Sequence, residues 1–175
     1  ILVKIRLREC NKPMFTHMKI RTLICFVAVV AIVAGCAQAH DPSEHSSTYD
    51  ENWGTNLEAA LTKAKEGEKL VFVDFTGSDW CPPCMALHDK VLIQEAFLNY
   101  AKENMELVVM DFPQRKQQSA EQKAYNQSLA RKHNVSGYPT VIVFDGDGKE
   151  VHRAVGFSGQ DAAGYVASLK KALNQ

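Results

Sequence analysis

The order of hydrophobic and polar positions divides the chain into three parts. An unbroken apolar run over residues 23–34 lies near the start, and residues 40–52 are polar and rich in Ser, Asp, Glu and His. From residue 53 onward, short apolar runs alternate with stretches in which apolar residues recur at helical spacing. The region 53–175 holds about 120 residues, enough for one domain around one core. We therefore expect one folded domain over 53–175, with a polar linker over 40–52.

Within this domain the pattern predicts four helices and four strands. In chain order they are a helix over 56–66 that ends at Gly67, a strand over 70–75, a long helix from Cys81 to about 103, a strand over 107–110, a helix over 114–133, two strands over 140–144 and 150–155, and a helix from 159 or 160 to about 173. The strand over 70–75 is apolar throughout except for one acid, which is typical of burial on both faces. Asp145-Gly146-Asp147-Gly148 is a hairpin signal. Parallel crossovers combined with one hairpin predict an α/β fold with a central mixed sheet flanked by helices.

Residues 1–39 have the pattern of upstream residues followed by a signal peptide. Met18 is a more natural start than Ile1, and Lys19 and Arg21 precede the apolar run. That run spans about a dozen residues, which suits a signal peptide but is too short to cross a membrane, where roughly 20 are needed. The sequence therefore predicts export.

Two cleavage sites compete behind the apolar run. Ala37-Gln38-Ala39 has the small-x-small form of general signal peptidase sites and would release a soluble chain starting at His40. Val33-Ala34-Gly35-Cys36 resembles a bacterial lipobox, which would leave Cys36 lipidated. We favour the lipobox because the cysteine directly follows small residues at the end of the run. The expected location is the periplasm or cell envelope, with a lipid anchor at Cys36.

The cysteines leave a single pair in the exported domain. Of the five in the chain, Cys10 and Cys25 lie upstream of both cleavage sites, and Cys36 is either lipidated or removed. Only Cys81 and Cys84 remain. A disulfide that closes so short a loop constrains the unfolded chain little, so a purely structural role gains little from it. The pair therefore indicates chemistry.

The charge of the exported part argues against nucleic acid as a partner. The whole chain has 20 basic and 20 acidic residues, and six of the basic but only one of the acidic residues precede Cys36. The part that follows is therefore acidic overall, with 14 basic against 19 acidic residues. It also contains no long run of Lys or Arg, the usual footprint of a polyanion-binding surface.

Three segments together resemble one known family. The strand LVFVDF is followed by Trp80-Cys81-Pro82-Pro83-Cys84 at a predicted helix start, and later Gly137-Tyr138-Pro139-Thr140 enters a strand. This combination resembles the thioredoxin superfamily. The form DFTGSDWCPPC and the segment DFP from Asp111 are similar to its exported bacterial disulfide reductases and isomerases. The resemblance covers nearly the whole domain from about Asn56 and implies a thioredoxin-like fold and a thiol–disulfide oxidoreductase.

Cys81 and Cys84 are the expected redox pair. A cysteine in the first turn of a helix feels the positive end of the helix dipole and unpaired N–H groups, which favour its thiolate. Cys81 is therefore the expected nucleophile, and Cys84, nearly one turn later, is expected to resolve the mixed disulfide. Pro82 and Pro83 each lack an N–H donor, so we expect only a moderate stabilisation of the thiolate, which favours a reductant.

The resemblance implies further active-site roles. Tyr138 and Pro139 correspond to the cis-proline loop that faces the redox pair and forms the substrate groove, the alternative being an ordinary trans proline. Trp80 corresponds to a residue that shields Cys81, unless it merely packs. Asp74 resembles the buried acid that assists proton transfer at the second cysteine. Two departures leave Asp74 open to a second interpretation, a strand-end carboxylate that caps a neighbour: one extra residue precedes the cysteines, and an apolar residue near Leu107 replaces the family's lysine.

Metal and haem sites are not expected. His88 lies four residues after Cys84, on the same side of a helix, where it could tune a thiol or bind zinc, but a solvated helix histidine is favoured. Structural zinc usually takes four ligands, and no second Cys/His cluster follows. Met85 stands where c-type haem attachment requires histidine. We therefore expect no metal and no cofactor.

The expected partners follow from the resemblance. They are client proteins that contain disulfides and a membrane-embedded thiol donor that supplies electrons. A monomer is expected because no additional dimerisation domain is visible in the sequence. The alternative function is a non-catalytic adaptor or chaperone built on the same fold.

Overall fold

The computed structural model describes residues 49–175. The predictions for the signal peptide, for Cys36 and for most of the linker fall on residues 1–48 and lie outside this part. Within residues 49–175, no helix is long and apolar enough to cross a membrane.

Five strands and five helices make up the described part of the chain. In order they are β1 (Trp53–Gly54), α1 (Leu57–Glu66), β2 (Leu70–Thr76), α2 (Pro82–Leu87), a π-helical turn (His88–Leu92), α3 (Glu95–Asn104), β3 (Met105–Asp111), α4 (Ala120–Lys132), β4 (Thr140–Phe144), β5 (Glu150–Val155) and α5 (Ala162–Ala172). The sheet order is β1-β3-β2-β4-β5. The first three strands of this order run parallel, and β4 and β5 are each antiparallel to the strand before them in the order. This confirms the predicted mixed central sheet.

The central strand β2 is buried on both faces, as its apolar sequence predicts. Phe72 lies on one face, where its ring meets the edges of Trp53 and Phe97. Val73 and Phe75 lie on the opposite face, in a core that also contains residues of α1 and α4. Burial of each side chain of this size contributes about 1.5–3 kcal/mol to the free energy of unfolding. Because strand side chains alternate, Asp74 shares the face of Phe72.

The predicted long helix from Cys81 to about 103 is interrupted. After α2 the chain widens into the π-helical turn, in which Ile93 N–H donates to the His88 carbonyl, five residues back (3.2 Å). Gln94 is then extended and precedes α3. Its side-chain amide donates to the carbonyl of Asp89 at 2.6 Å, which satisfies one of the acceptors left at the end of the helical turn.

One further prediction about secondary structure is corrected, and one strand is added. The helix predicted over 114–133 begins only at Ala120, where Ser119 accepts a hydrogen bond from the N–H of Gln122. Strand β1 was not predicted, because two residues carry no periodicity; it exists through its pairing with β3, Trp53 opposite Leu107.

The prediction of a linker over residues 40–52 is wrong at Tyr49, whose side chain is only 6% exposed. Tyr49 belongs to the same core cluster as Trp53 and Phe72. The folded domain therefore includes residues before 53.

Candidate active site

Three loops meet at one edge of the sheet. Thr76 at the end of β2 is paired with Asp111 at the end of the parallel strand β3. Phe75 is paired with Thr140 at the start of the antiparallel strand β4. The loop after β2, which carries the cysteines, therefore lies beside the loop after β3 and the loop that ends in Pro139.

Cys81 and Cys84 form a disulfide at the start of α2, with their Cα atoms 5.3 Å apart. Cys81 is extended and precedes the helix, and its carbonyl accepts the N–H groups of Cys84 (3.0 Å) and Met85 (3.1 Å). Pro82 and Pro83 occupy the first two helical positions, where a missing N–H costs no helical hydrogen bond. Both cysteines are almost fully buried. The pair is thus in the predicted position, with two fewer backbone donors than other residues would supply.

Aromatic side chains connect the cysteine loop with the Pro139 loop. The Trp80 ring meets the Tyr138 ring edge-on at 5.8 Å, and the indole Nε1–H donates to the Phe112 carbonyl at 2.7 Å. Phe112 also packs on Tyr138, with ring centroids 5.0 Å apart. The ring of Trp80 takes the space beside Gly77, where a Cβ would lie 2.5 Å from it.

Pro139 directly precedes β4 at the same edge of the sheet. The Tyr138–Pro139 peptide bond is cis, in agreement with the resemblance. Pro139 is buried, and its carbonyl accepts the N–H of Gly156 at 2.8 Å. The Thr140 hydroxyl donates to the Gly137 carbonyl at 2.8 Å, which fixes the loop from its other side.

The longer Gly-Ser-Asp stretch before the cysteines is anchored by two carboxylates. Asp111 accepts both the N–H (2.9 Å) and the hydroxyl (2.6 Å) of Ser78. The carboxylate of Asp79 accepts the N–H groups of three consecutive residues at 2.7–2.9 Å, namely Gln114, Arg115 and Lys116. Desolvation opposes the charge, but these bonds outweigh it and lower the pKa of Asp79. Residues 114–116, which were predicted as the start of a helix, therefore form a turn around the carboxylate of Asp79.

Asp74 is a fully buried carboxyl group on the face of the sheet that α2 covers. The Tyr49 hydroxyl donates to Oδ2 of Asp74 at 2.6 Å. The other carboxylate oxygen of Asp74, Oδ1, accepts no hydrogen bond within residues 49–175. Burial raises the pKa of Asp74 to about 7; the charge of Asp111 adds to this, while the Tyr49 bond and His88 act in the opposite direction. Asp74 lies inside β2 and not at its end, and its partner on β3 is the apolar Val109.

His88 is buried, so the prediction of a solvated helix histidine is wrong. It is 7% exposed, and its Nδ1 lies 2.8 Å from Asp89 Oδ1. The π-helical turn begins at His88, and the His88 ring meets the Tyr49 ring at 5.1 Å. Tyr49 thereby contacts His88 on one side and Trp53, at 4.7 Å, on the other.

Sequence reasoning missed Tyr49. Its one signal was an aromatic residue four positions before Trp53, within an otherwise polar stretch. Only the fold brings Tyr49 to a strand 25 residues later.

A pocket of about 220 Å³ opens beside Cys84. The residues around it come from the N-terminal segment, the end of β2, the cysteine loop and the helical turn: Tyr49, Thr76, Ser78, Cys84, Met85, His88 and Asp89. Within residues 49–175, no group of three or more His, Cys, Asp or Glu side chains could hold a metal ion.

Comparison with known proteins identifies the class. A family model described as a thioredoxin-like domain matches residues 57–172. The chain is 36% identical over 121 residues to the disulfide bond reductase DsbH of Chlamydia pneumoniae, covering 69% of this chain and 72% of that protein. A solved structure of a DsbH oxidoreductase superposes with a TM-score of 0.65 at 34% identity, covering 70% of this chain and 83% of that one. A disulphide isomerase from Xylella fastidiosa Temecula1, at 24% identity and a TM-score of 0.51, shares the fold; the match covers 70% of this chain and 95% of that one.

Fold and redox pair together define a thioredoxin-fold protein with a dithiol centre. The chain belongs to the thioredoxin-like family, and it is a thiol–disulfide oxidoreductase.

Proposed function

We propose that this protein is an exported disulfide reductase that acts on client proteins outside the cytoplasm. The observation that carries the proposal is the Cys81–Cys84 disulfide at the start of α2, beside the cis Pro139 loop, in a chain that is 36% identical to a disulfide bond reductase. A disulfide at this position is the oxidised half of a two-electron couple whose reduced half is the working reductant.

The reduction proceeds in two exchanges. The Cys81 thiolate attacks one sulfur of a client disulfide, a Cys81–client bond forms, and the other client sulfur leaves as a thiolate. Cys84 then gives its proton to Asp74 and attacks Cys81 Sγ. The Cys81–client bond breaks, the second client thiolate leaves, and the Cys81–Cys84 disulfide forms. Two electrons have passed from the enzyme to the client, whose thiolates take protons from solvent.

The surroundings of the pair supply the other roles. Trp80 shields Cys81, and the backbone around Tyr138 and Pro139 forms the groove for an extended client segment. The contact between the Trp80 and Tyr138 rings supports a single surface made from both loops. A membrane-embedded thiol donor returns the disulfide to the dithiol.

The direction of electron flow is tested by the equilibrium potential of the pair against glutathione. Pro82 and Pro83 remove two backbone donors from the first turn, so the Cys81 thiolate is stabilised only moderately and the disulfide is a weak oxidant. We expect a potential near that of thioredoxin, roughly −270 mV, together with reduction of insulin. A potential close to roughly −120 mV would make the protein an oxidant and contradict the proposal. Refolding of scrambled ribonuclease, measured in parallel, distinguishes an isomerase.

Anchoring is tested at Cys36, which the lipobox-like sequence identifies as the acylated residue. We expect the exported protein to partition with membranes and Cys36→Ser to appear in the soluble envelope fraction or as unprocessed precursor. Cys25→Ser, within the apolar run and upstream of both cleavage sites, is the matched control and should leave the partition unchanged. A mature N-terminus at His40 would rule out the lipid anchor.

A further inference from the structure

The hydroxyl of Tyr49 is the donor that the structure provides to the buried carboxyl group of Asp74. The bond is short, 2.6 Å, and both side chains are buried. Asp74 itself is fully enclosed and does not line the pocket beside Cys84, whereas Tyr49 does. Tyr49 therefore contacts the buried acid and also lines the pocket that Cys84 lines.

The two oxygens of Asp74 differ because of this bond. Oδ2 is engaged by Tyr49, while Oδ1 is buried and accepts no hydrogen bond within residues 49–175. Burial, followed by the charge of Asp74, raises the pKa of Tyr49, so its hydroxyl stays protonated and keeps donating. A charge-assisted bond of this kind favours the ionised carboxyl group.

We propose that Tyr49 is a positioning residue for Asp74: its hydroxyl binds Oδ2, so that Oδ1 is left to take the proton of Cys84 when the mixed disulfide is resolved. This inference rests on the proposed role of Asp74 and extends it. In the step, the Cys84 S–H bond breaks, an O–H bond forms at Asp74, and the Cys84 thiolate attacks Cys81 Sγ. The client sulfur leaves as a thiolate, and Asp74 later returns its proton to solvent.

Titratable side chains from four parts of the chain interact with Asp74. Tyr49 faces it from the N-terminal segment, Asp111 from β3, His88 from the π-helical turn and Tyr165 from α5. Among these, the Tyr49 bond and His88 favour the charged form, and Asp111 disfavours it. Loss of the Tyr49 hydroxyl is therefore expected to raise the pKa of Asp74 further, by about one unit.

Tyr49→Phe removes only the hydroxyl and keeps the ring between Trp53 and His88. The reduced protein is mixed with an equimolar amount of dithiobis(nitrobenzoate), and release of the two thionitrobenzoate groups is followed by absorbance. The first release reports attack by Cys81 and the second reports resolution by Cys84. In Tyr49→Phe the first release should be unchanged, while the second should be about fivefold slower at pH 7, with its pH midpoint about one unit higher.

A matched control is Tyr100→Phe, which removes a tyrosine hydroxyl bonded to Gln175 on another part of the domain. It should leave both releases at the parent rate. A second readout is the carbon NMR titration of the Asp74 carboxyl group, whose midpoint should rise in Tyr49→Phe and stay unchanged in Tyr100→Phe. Thermal unfolding of both variants separates these effects from a general loss of structure.

Asp74→Asn separates this inference from the proposal on which it rests. If Asp74→Asn slows the second release and Tyr49→Phe does not, Asp74 acts without help from Tyr49 and the inference is overturned. If Asp74→Asn leaves the second release at the parent rate, the proton-accepting role of Asp74 is itself wrong and the inference fails with it. A midpoint of Asp74 that is the same in Tyr49→Phe and in the parent also overturns it.

Discussion

Cys84→Ser is expected to turn the protein into a trap for its clients, with Cys81 covalently bound to them. Serine cannot complete the second exchange, so the Cys81–client disulfide persists until an external thiol attacks it. Intramolecular attack by a well-oriented group corresponds to an effective concentration of about 10⁵ M or more, which millimolar external thiols cannot replace. Non-reducing gels of cells that express the variant should show client complexes that disappear on reduction.

Cys81→Ser is the matched control, because it changes the neighbouring sulfur in the same loop and at similar burial. It should trap almost nothing, and insulin reduction should fall by on the order of a thousandfold or more, as expected for loss of a nucleophile. Equal trapping by the two variants would mean that the roles of Cys81 and Cys84 have been assigned wrongly.

Asp74→Asn is expected to stabilise the oxidised protein above neutral pH, even though the same change slows resolution. The pKa of Asp74 is about 7 in the fold against 3.8 in the unfolded chain, chiefly through burial. Between these values the folded state binds more protons than the unfolded state, so the free energy of unfolding falls as pH rises from about 4 to about 7. The difference between these two pKa values corresponds to a penalty of about 4 kcal/mol in the free energy of unfolding above pH 7.

The amide of asparagine does not ionise and avoids this penalty. At pH 8 the variant should unfold on the order of 10 °C above the parent, less whatever the altered bond to Tyr49 costs. At pH 3, below both pKa values, Asp74 is mostly protonated in both states and the two melting temperatures should nearly coincide. Asp147→Asn, at an exposed carboxylate paired with Lys65, should show no such pH-dependent difference. Equal melting temperatures at pH 8 would contradict a raised pKa for Asp74.

The central strands of the fold were predictable because their signal is local. The strands over 140–144 and 150–155 have the predicted bounds, and β2 extends only one residue beyond its prediction. A short apolar, β-branched run between turn residues has few alternatives to a buried strand. The end of α1 before Gly67 was predicted from a local signal as well, a glycine that directly follows the last residues at helical spacing.

The helical regions were less predictable because distant contacts decide them. Residues 114–119 have a composition compatible with helix, but Asp79 binds three of their N–H groups and Ser119 caps the helix after them. Apolar residues keep their helical spacing across the break near Ile93, although the helix itself is interrupted there. At this break the side-chain amide of Gln94 donates to the carbonyl of Asp89. In both places a side-chain hydrogen bond competes with the backbone pattern, and periodicity does not report such bonds.

The candidate site also has a part that local sequence predicted and a part that depends on distant contacts. The family resemblance predicted Cys81, Cys84, Trp80, Tyr138 and Pro139 together, and the fold brings all five to one edge of the sheet. Their roles remain proposals, and the variants at Cys81 and Cys84 test the roles of the two cysteines. Asp74 was predicted as a candidate buried acid, but its partner Tyr49 was not.

The sequence by itself determined the redox pair, the mixed sheet and the family, because each depends on residue types at fixed short spacings. Tertiary structure alone decided what surrounds the pair. Tyr49 meets Asp74 across 25 residues of chain, and the buried His88 packs against the Tyr49 ring. The pKa of a carboxyl group depends on the solvent excluded around it and on the charges and donors nearby. Those quantities depend on which residues pack together in the folded chain, so the sequence pattern alone does not give them.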